Sequence, residues 1–533
     1  MSNEPPKPAD ALQSAALASA SADEGRITVG SRPTAAQLQG CLQVLDALRG
    51  LDPLDPDYLA VERAAAHLIK GAKKKRRLAR RRAAVQRDRA LVEQAVTARE
   101  DRAEPEASGA EAGRTLGGLH NQRRCYVCKA PYRSIHAFYH GMCAACGDFN
   151  LAMRGQRAGL EGRRALVTGG RIKIGFRLAL KLLRDGAHVQ VTTRFPRDAA
   201  RRFAQVADAD AWRDRLQIHG LDLKHLPSVV AFAEARLAEA PLDILINNAA
   251  QTVRRPASWS AALYRAEADA LGPSEAALLA PWPAAPLAAE FEPSALAGVL
   301  RGAIPSGVAA LEATPGAILT GAAPGISGAC SAAPGEAGGR SSGELGGRSR
   351  GELPGGADLC AELDEEGVPV DRRAVNSWVL QLSEVSPVEM VEAQIVGSMA
   401  PFVLCSVLRA SMARSPFEAR VMVNVSAVEG QFGCANKTSD HPHTNMAKAA
   451  LNMLTRTSAA SLSREGIYMC SVDTGWITDE KPMAGRARAR QRGFIPPLDV
   501  IDGAARVYDP VVRAARGEPA WGVFLKDYRP APW

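Results

Sequence analysis

Three observations predict that this chain of 533 residues folds as α/β, with a doubly wound parallel sheet. First, strand-like and helix-like segments alternate between residues 160 and 255. Second, the first of these strands runs into a glycine turn that opens a helix. Third, the alternation resumes near residue 376, after a long stretch rich in Ala, Gly, Pro and Ser. We therefore expect the domain at 160–533 to be interrupted by a flexible insertion at about 256–368.

The strands are predicted where short apolar runs lie between turn residues. These runs are RALVTG (164–169), HVQVTT (188–193), LQIHG (216–220), LDILINN (242–248), ARVMVNVS (419–426), IYMCSVD (467–473) and WGVFL (521–525). Helices are predicted near 175–185, 197–210, 227–238 and 388–408, with a further helix after Lys448.

The N-terminal part, residues 1–118, reads as a disordered to helical basic arm. Residues 1–35 are rich in Ala, Ser and Pro, which predicts disorder. Leucines at helical spacing begin after Ala36, a second helix begins near Tyr58, and residues 101–118 read as a linker. Eight of the ten residues at 73–82 are basic. This run fits either a solvated helix face or a nuclear-import or nucleic-acid contact, but it has no interleaved aromatic residues for base stacking.

Composition restricts the class of protein. The hydrophobic content is 46%, the net charge is a modest +9, and six of the ten cysteines are scattered. This usage predicts a reducing compartment, cytoplasmic or nuclear, and not a disulfide framework. The first residues lack the basic and apolar regions of a secretory signal. No uncharged apolar run of about 20 residues occurs, so no membrane association is expected.

Residues 119–155 are predicted to form a small zinc module. Each C-x2-C pair presents two thiolates on one side, and two pairs can close a tetrahedral shell around zinc. No open coordination position is evident, so the site is expected to be structural. His136 and His140 remain alternative ligands. The preferred ligands are Cys125, Cys128, Cys143 and Cys146.

Several motifs, in order, resemble the short-chain dehydrogenase/reductase family, which has a Rossmann-type fold. The turn at 168–175 resembles TGxxxGxG, with Lys173 in place of the middle glycine; the segment at 247–250 resembles NNAG, and the segment at 473–478 resembles PGxxxT. The resemblance implies a dinucleotide cofactor. Arg194 at the end of the second strand suits a 2′-phosphate, which favours NADP(H) over NAD(H). The implied cofactor-binding residues are Thr168, Gly169, Arg171, Lys173, Ile174, Gly175, Arg194, Asp222, Asn247, Ala249, Lys448 and Thr478.

The resemblance also implies a catalytic group, which this chain retains only in part. Ser426 and Lys448 fit the family's serine and lysine, whereas Thr444 stands where the family has tyrosine. The family's asparagine position corresponds to Gly397. Because an alkyl hydroxyl is a far weaker acid than a phenol, Thr444 cannot simply replace the proton donor. His443 is the first alternative acid, with His441 or water next.

Three functions are compatible with these motifs. The leading hypothesis is an NADP(H)-dependent oxidoreductase of short-chain dehydrogenase/reductase type that acts on an unidentified carbonyl or alcohol. The second is a catalytically weak or inactive NADP(H)-binding scaffold that binds a protein partner through its zinc module. The third makes the basic arm and the zinc module a nucleic-acid-binding device. A homo-oligomer is expected from the family resemblance.

Overall fold

The computed structural model describes residues 32–99, 111–255, 257–281, 370–434 and 437–533. The chain divides into two compact units, with the boundary between Gln86 and Arg87. Most of the predicted disordered segment at 1–35 and most of the predicted insertion at about 256–368 lie outside the described residues.

The first unit contains α1 (Ala35–Leu48) and most of α2 (Pro56–Val92), whose last residues belong to the second unit. α1 begins with a capping box, in which the Thr34 hydroxyl accepts from the backbone N–H of Gln37 and the Gln37 side chain accepts from the backbone N–H of Thr34. The basic residues at 73–82 lie exposed on α2. The two predicted N-terminal helices are thus present, and the role of the basic run stays a prediction.

The cysteine module in the second unit contains β1 (Thr115–Arg124), β2 (Pro131–His136) and α3 (Ala144–Arg154). β1 and β2 pair antiparallel. Because β1 begins at Thr115, the predicted linker at 101–118 is wrong for its last residues. The module's core also includes Val92, Ala95 and Ala98, which the sequence pattern had placed in the basic arm.

The main sheet has eight strands in the order β10-β9-β8-β7-β6-β3-β4-β5, parallel except for the β9–β10 pair. Chain order reverses between β3 and β6, which is where open α/β sheets bind ligands. The predicted doubly wound sheet is confirmed, and each predicted strand overlaps an observed one. The strands are β3 (Arg164–Thr168), β4 (His188–Thr193), β5 (Leu216–Gly220), β6 (Ile244–Asn247), β7 (Arg420–Ser426), β8 (Ile467–Asp473), β9 (Phe524–Lys526) and β10 (Arg529–Ala531).

Helices cover both faces of this sheet and enclose two apolar cores. The run from Pro387 to Ala413 contains a π-helical turn at Ile395–Met399, so it is divided into α9 and α10. The helices are α4 (Lys173–Arg184), α5 (Pro196–Ala204), α6 (Leu226–Arg236), α7 (Ala257–Ala266), α8 (Pro273–Ala276), α9 (Pro387–Gln394), α10 (Ala400–Ala413), α11 (Pro442–Ser463), α12 (Met483–Gln491) and α13 (Val500–Ala515). Short 3-10 turns lie at Val96–Ala98, Ala209–Ala211, Arg213–Arg215, Ser377–Val379 and Val428–Gly430.

Residues 257–281 form ordered structure, although the composition predicted a flexible insertion from about residue 256. α7 and α8 lead to Leu278, which is 3% exposed. The backbone of Ile218 on β5 donates to the carbonyl of Leu278 at 2.8 Å and accepts from the N–H of Ala280 at 2.9 Å. This segment therefore covers the edge of the sheet, which would otherwise present unpaired backbone groups.

The run from Pro387 to Ala413 is long and apolar enough to cross a membrane by length and composition alone. More than half of its most apolar window, 56%, is buried inside the protein, as in the core helix of a soluble domain. This run therefore gives only weak support for membrane insertion.

Candidate cofactor and catalytic site

A cavity of about 1340 Å³ opens at the carboxyl ends of the parallel strands. Its wall combines the glycine turn after β3, the end of β4, the residues after β6, the ends of β7 and β8, and one face of α11. The cavity therefore lies at the switch point between β3 and β6, where a dinucleotide would meet the N-terminus of α4.

The glycine turn is shaped for a close approach between β3 and α4. Gly169 has a φ of +70°, in the region that favours glycine. A Cβ at Gly175 would lie 2.1 Å from the carbonyl oxygen of Gly169, so a side chain cannot fit there. Lys173 takes the place of the family's middle glycine and has a φ of 53°. This left-handed conformation costs roughly 1 kcal/mol for a non-glycine residue. Because glycine adopts it without this cost, the family pattern has glycine at this position.

Most of the predicted cofactor residues line the cavity, but two do not. The hydroxyl of Thr168 accepts from the backbone N–H groups of Asn248 and Ala249, both at 3.0 Å. The Asn247 amide donates to Asn424 at 2.8 Å and to the sulfur of Cys405 at 3.3 Å, inside the protein. The side chains of these two residues make hydrogen bonds inside the protein, and neither residue lies in the cavity wall, so their contact with a cofactor stays a prediction. The predicted residues in the cavity wall are Gly169, Arg171, Lys173, Ile174, Gly175, Arg194, Asp222, Ala249, Lys448 and Thr478.

Three basic residues surround the glycine turn. Arg194 is exposed and lies over the Phe195 ring, 5.4 Å from its centroid, with no ion pair or hydrogen bond from its guanidinium to any other described residue. Arg171 is held by Asp198 at 2.6 Å. The Lys173 ammonium lies 3.9 Å from Glu480 on the loop after β8. Arg194 is thus the cation of the three that remains available to an anionic ligand.

Ser426 and Lys448 meet in the cavity wall, as the family resemblance implied. Ser426 ends β7, and its buried hydroxyl has no hydrogen-bond partner among the described residues. The Lys448 ammonium donates to the carbonyl of Val425 at 2.7 Å. Burial lowers the pKa of Lys448 to about 8, although Glu429 and Asp473 oppose this shift. An unpartnered hydroxyl and an ammonium therefore belong to residues in the wall of one cavity.

Asp473 lies beside Ser426, because the two residues are register partners on β7 and β8. Its carboxylate accepts from the backbone of Gly475 at 3.2 Å and lies 3.5 Å from the Lys526 ammonium. Burial raises the pKa of the Asp473 carboxyl, while Lys526 acts in the opposite direction. The sequence motifs predict no chemical role for this buried acid.

Thr444 and His443 lie outside the cavity wall, in the first turn of α11. The Thr444 hydroxyl is buried without a hydrogen-bond partner among the described residues. The His443 ring is buried and lies 3.7 Å from Glu389, and burial lowers the pKa of this imidazole against the effect of Glu389. The structure therefore does not bring His443 to the position that the predicted role as first acid requires.

His441, immediately before α11, lies in the cavity wall instead. Its ring stacks on Trp378 with a centroid distance of 4.1 Å and an interplanar angle of 9°. Nδ1 lies 2.9 Å from the Trp378 carbonyl oxygen, and since a carbonyl can only accept, Nδ1 carries the proton in the neutral ring. Nε2 has no hydrogen-bond partner among the described residues, so it can accept a proton and return it.

Gly397 lies in the π-helical turn between α9 and α10. A Cβ at this position would lie 2.9 Å from the Cβ of Ala447 on α11. Since the family's asparagine could not fit without moving α11, the glycine here allows two helices to pack closely. Asn445, the residue after Thr444, lines the cavity with an unpartnered side-chain oxygen and offers a polar group on the same wall.

The four cysteines of the module converge as predicted. Their sulfur atoms all lie within 4.8 Å of one another, and the Cys128 and Cys143 sulfurs are 3.8 Å apart. A tetrahedral zinc site with Zn–S bonds of about 2.3 Å has S···S edges of about 3.8 Å. His136 instead bonds Asp148, and His140 bonds Thr97, so both histidines are engaged away from the sulfurs. The cysteine cluster therefore fits a divalent metal ion.

Residues 163–263 match the family described as short chain dehydrogenase. This match extends from β3 into α7, so that part of the α/β domain is similar to the short-chain dehydrogenase family. Similar named proteins are a probable oxidoreductase of Streptomyces lividans (41% identical over 90 residues) and dehydrogenase/reductase SDR family member 13 of Bos taurus (42% over 93 residues). Each match covers 17% of this chain, and it spans 29% and 24% of the respective relative, well under two thirds of its length.

A longer match is uncharacterized protein R665 of Acanthamoeba polyphaga mimivirus, which is 30% identical over 403 residues and covers 73% of this chain and 71% of that protein. Among solved structures, the NADPH-bound carbonyl reductase from chicken fatty liver is 15% identical, covering 70% of this chain and all of that chain with a TM-score of 0.39. A short chain dehydrogenase from Burkholderia cenocepacia in complex with NADP is 18% identical, covering 69% and 96% with a TM-score of 0.39.

The named relatives that match part of this domain are a probable oxidoreductase and a dehydrogenase/reductase. Sequence reasoning missed several residues of this site. Asn248 lines the cavity in place of Asn247, and Asp473 and Asn445 join Ser426 and Lys448. His441 was predicted only as a later alternative to His443, whereas the structure places His441 and not His443 in the cavity wall.

Proposed function

We propose that this protein is an NADP(H)-dependent oxidoreductase that interconverts a carbonyl compound and its alcohol. The observation that carries the proposal is the unpartnered, buried hydroxyl of Ser426, which shares one cavity with Lys448 and with the glycine turn of α4. Burying a hydroxyl without a partner is costly, so such a group is expected where a ligand completes it.

The cavity residues fit a dinucleotide phosphate. The N-terminus of α4 and the glycine turn would hold the pyrophosphate, with Lys173 beside it. Arg194 would pair with the 2′-phosphate, and Asp222 would meet the adenine. The Lys448 ammonium would hold the nicotinamide ribose, and Thr478 would reach the nicotinamide end. When bound, the cofactor supplies or takes up a hydride at the carbonyl carbon.

The chain's own residues would then manage the carbonyl oxygen and its proton. The Ser426 hydroxyl would donate to that oxygen and orient the carbonyl. His441 would hold the transferred proton on Nε2 and release it to the oxygen during reduction, and in the reverse direction it would take the proton from the alcohol. Its Nδ1–H bond to the Trp378 carbonyl fixes the ring for this exchange. Asp473, beside Ser426 but held by Lys526, is the second candidate acid.

The four-cysteine site would hold one structural zinc ion. Burial, together with hydrogen bonds and charge from the neighbouring cysteines, raises the pKa of the Cys146 thiol, so the crowded site needs a cation to become four thiolates. Elemental analysis of protein purified without chelator should find about one zinc per chain, the stoichiometry of a single four-cysteine site. If the analysis found no zinc, the proposed metal site would be wrong.

A homo-oligomer would cover an apolar surface on α10 and α11. Phe402 is 57% exposed, and Met399, Met446 and Met453 are about as exposed on or beside the same two helices. Large exposed apolar side chains that cluster in this way mark association surfaces. Partners other than a second copy, including nucleic acid at the basic run, have no supporting contact or site in the described residues.

The test combines cofactor binding with turnover. Fluorescence titration should show tighter binding of NADPH than of NADH, and a panel of carbonyl compounds and alcohols should include at least one that turns over. Ser426→Ala should lower turnover on that compound by about 10²-fold or more, while NADPH affinity stays near wild type. Tight NADPH binding without turnover across the panel would instead favour the scaffold hypothesis. Failure to bind either nucleotide would overturn the proposal.

A further inference from the structure

The cysteine module supplies part of the wall of the cofactor cavity. Tyr126, between Cys125 and Cys128, lines the cavity together with Gly475 and Trp476 of the loop after β8. The Tyr126 hydroxyl accepts from the backbone N–H of Trp476 at 2.9 Å. A residue held between two metal-ligand positions therefore touches the loop that forms the nicotinamide end of the cavity.

The contact between Tyr126 and this loop is close. Gly475 has a φ of +79°, and a Cβ there would lie 3.1 Å from the Tyr126 hydroxyl and 2.5 Å from Leu498. Leu498 is fully buried in the module's own core, and Ile477 and Ile495 pack against the same core. Both ends of the segment 474–498 are thus packed on the cysteine module.

Buried polar contacts join the module to the start of α13, just beyond this segment. The Tyr139 hydroxyl donates to Asp502 at 2.6 Å, and the guanidinium of Arg154 contacts Asp499 at 2.6 Å and Asp502 at 3.0 Å. The side chain of Arg506 donates to Asn150 at 2.9 Å. Because Arg154 and Asp502 are buried and paired with each other across this contact, the module cannot leave this face without exposing unpaired charge.

Tyr126 is placed to position the loop and not to transfer a proton. Its oxygen is occupied by the Trp476 N–H, and the hydroxyl proton remains for a ligand or for water in the cavity.

We propose that the four-cysteine metal site fixes the wall of the cofactor cavity, with Tyr126 as the positioning residue that transmits metal binding to the loop at 474–498. The metal would close the turn between Cys125 and Cys128 and thereby set the position of the Tyr126 hydroxyl. Only the NADPH-binding part of this inference rests on the proposed function, because hydrogen exchange in the loop can be measured without a nucleotide.

The first test is amide hydrogen exchange, followed by mass spectrometry, in the peptide that contains Trp476. Tyr126→Phe should speed exchange there by about 3- to 10-fold, the effect of losing one neutral hydrogen bond. Tyr132→Phe is the matched control, because the Tyr132 hydroxyl bonds the His140 carbonyl at 3.0 Å inside the module and lies outside the cavity wall. Removing the metal with a chelator, or by Cys128→Ser, should speed exchange at least as much as Tyr126→Phe.

The second test is NADPH titration of the same proteins. Tyr126→Phe should weaken binding by about 3- to 10-fold with unchanged metal content, and Tyr132→Phe should bind as wild type. Unchanged exchange at Trp476 in both Tyr126→Phe and the metal-free protein would overturn the inference. If wild type binds no nucleotide, the proposed function fails, while the exchange experiment still decides whether the metal holds the loop.

Discussion

At the N-terminus of α4, two glycines hold the turn that we propose for a dinucleotide, whereas at the N-terminus of α11, Thr444 stands where the family resemblance implies a phenol. The first end is fixed by backbone geometry, because a Cβ at Gly175 would meet a carbonyl oxygen at 2.1 Å. The second end is fixed by side chains from distant segments, such as the stack of His441 on Trp378. The shape of the glycine turn is therefore determined by local sequence. The proton donor, in contrast, can be any acidic group that the fold brings near Ser426.

The substitution Gly175→Ala is the strongest test of the glycine turn at the N-terminus of α4. The added methyl group would overlap the Gly169 carbonyl and the Asn248 side chain, so the glycine turn must move. We expect NADPH binding to fall by about 10²-fold or more, since the phosphate site depends on this turn. Gly272→Ala is the matched control, because a Cβ there would meet its nearest neighbour only at 3.8 Å. Near-normal titration of Gly175→Ala would show that the cofactor does not use this turn.

The proton donor near the N-terminus of α11 is tested by replacing His441 and His443 one at a time. His441→Gln should lower the rate of carbonyl reduction by about 10²-fold, the low end for general acid catalysis, and leave NADPH affinity unchanged. His443→Gln, two residues further along the chain and outside the cavity wall, should retain most of the rate. The reverse result would restore His443 as the acid. Equal activity of both variants with wild type, together with a large loss in Asp473→Asn, would transfer the role to Asp473.

We expect the choice between NADPH and NADH to depend on Arg194, an exposed cation at the end of β4. Arg194→Asp should weaken NADPH by about 10- to 100-fold, because it removes a charge-assisted contact to the 2′-phosphate, and NADH should lose much less. Arg265→Asp is the control, since Arg265 is exposed on α7 and lies outside the cavity wall. Equal affinities for the two nucleotides in wild type would remove Arg194 from the phosphate site.

Much of the fold and part of the candidate site can be predicted from the sequence. The other features of the site depend on contacts between segments that are distant in the sequence. The strands and the glycine turn follow from local pattern, and so do the positions of Ser426 and Lys448. Thr168 and Asn247 were assigned to the cofactor because their motifs match, but their side chains turn inward to join β3, β6 and β7. The place of His441 depends on Trp378, which is remote in sequence and follows the interrupted region.

Lys448 predicts opposite effects of pH on binding and stability. Its native pKa of about 8 lies below the ordinary value of 10.5, so raising the pH through 8 removes the ammonium from the folded protein first. NADPH affinity should fall several-fold between about pH 7 and pH 9, when a charged hydrogen bond is lost. Over about pH 8 to 10.5 the unfolded chain holds the extra proton, so this group makes stability rise with pH. Lys448→Met should abolish both dependences in titrations and in denaturant unfolding.

The smallest effect is expected from shortening the interrupted region. Replacing residues 282–369 with a Gly/Ser linker of about 20 residues should change the free energy of unfolding by only about 1 kcal/mol, because loop-closure entropy varies slowly with length. Removing residues 257–281 as well should lower the free energy of unfolding clearly more, because the core loses Leu278 and Ile218 loses two backbone hydrogen bonds. It should also weaken NADPH binding, because Trp259 and Tyr264 line the cavity. Urea unfolding and NADPH titration of the two deletions measure both effects. If the shorter deletion alone abolished cooperative unfolding, the low-complexity stretch would be part of the fold, and the sequence-based boundary of the insertion would be wrong at both ends.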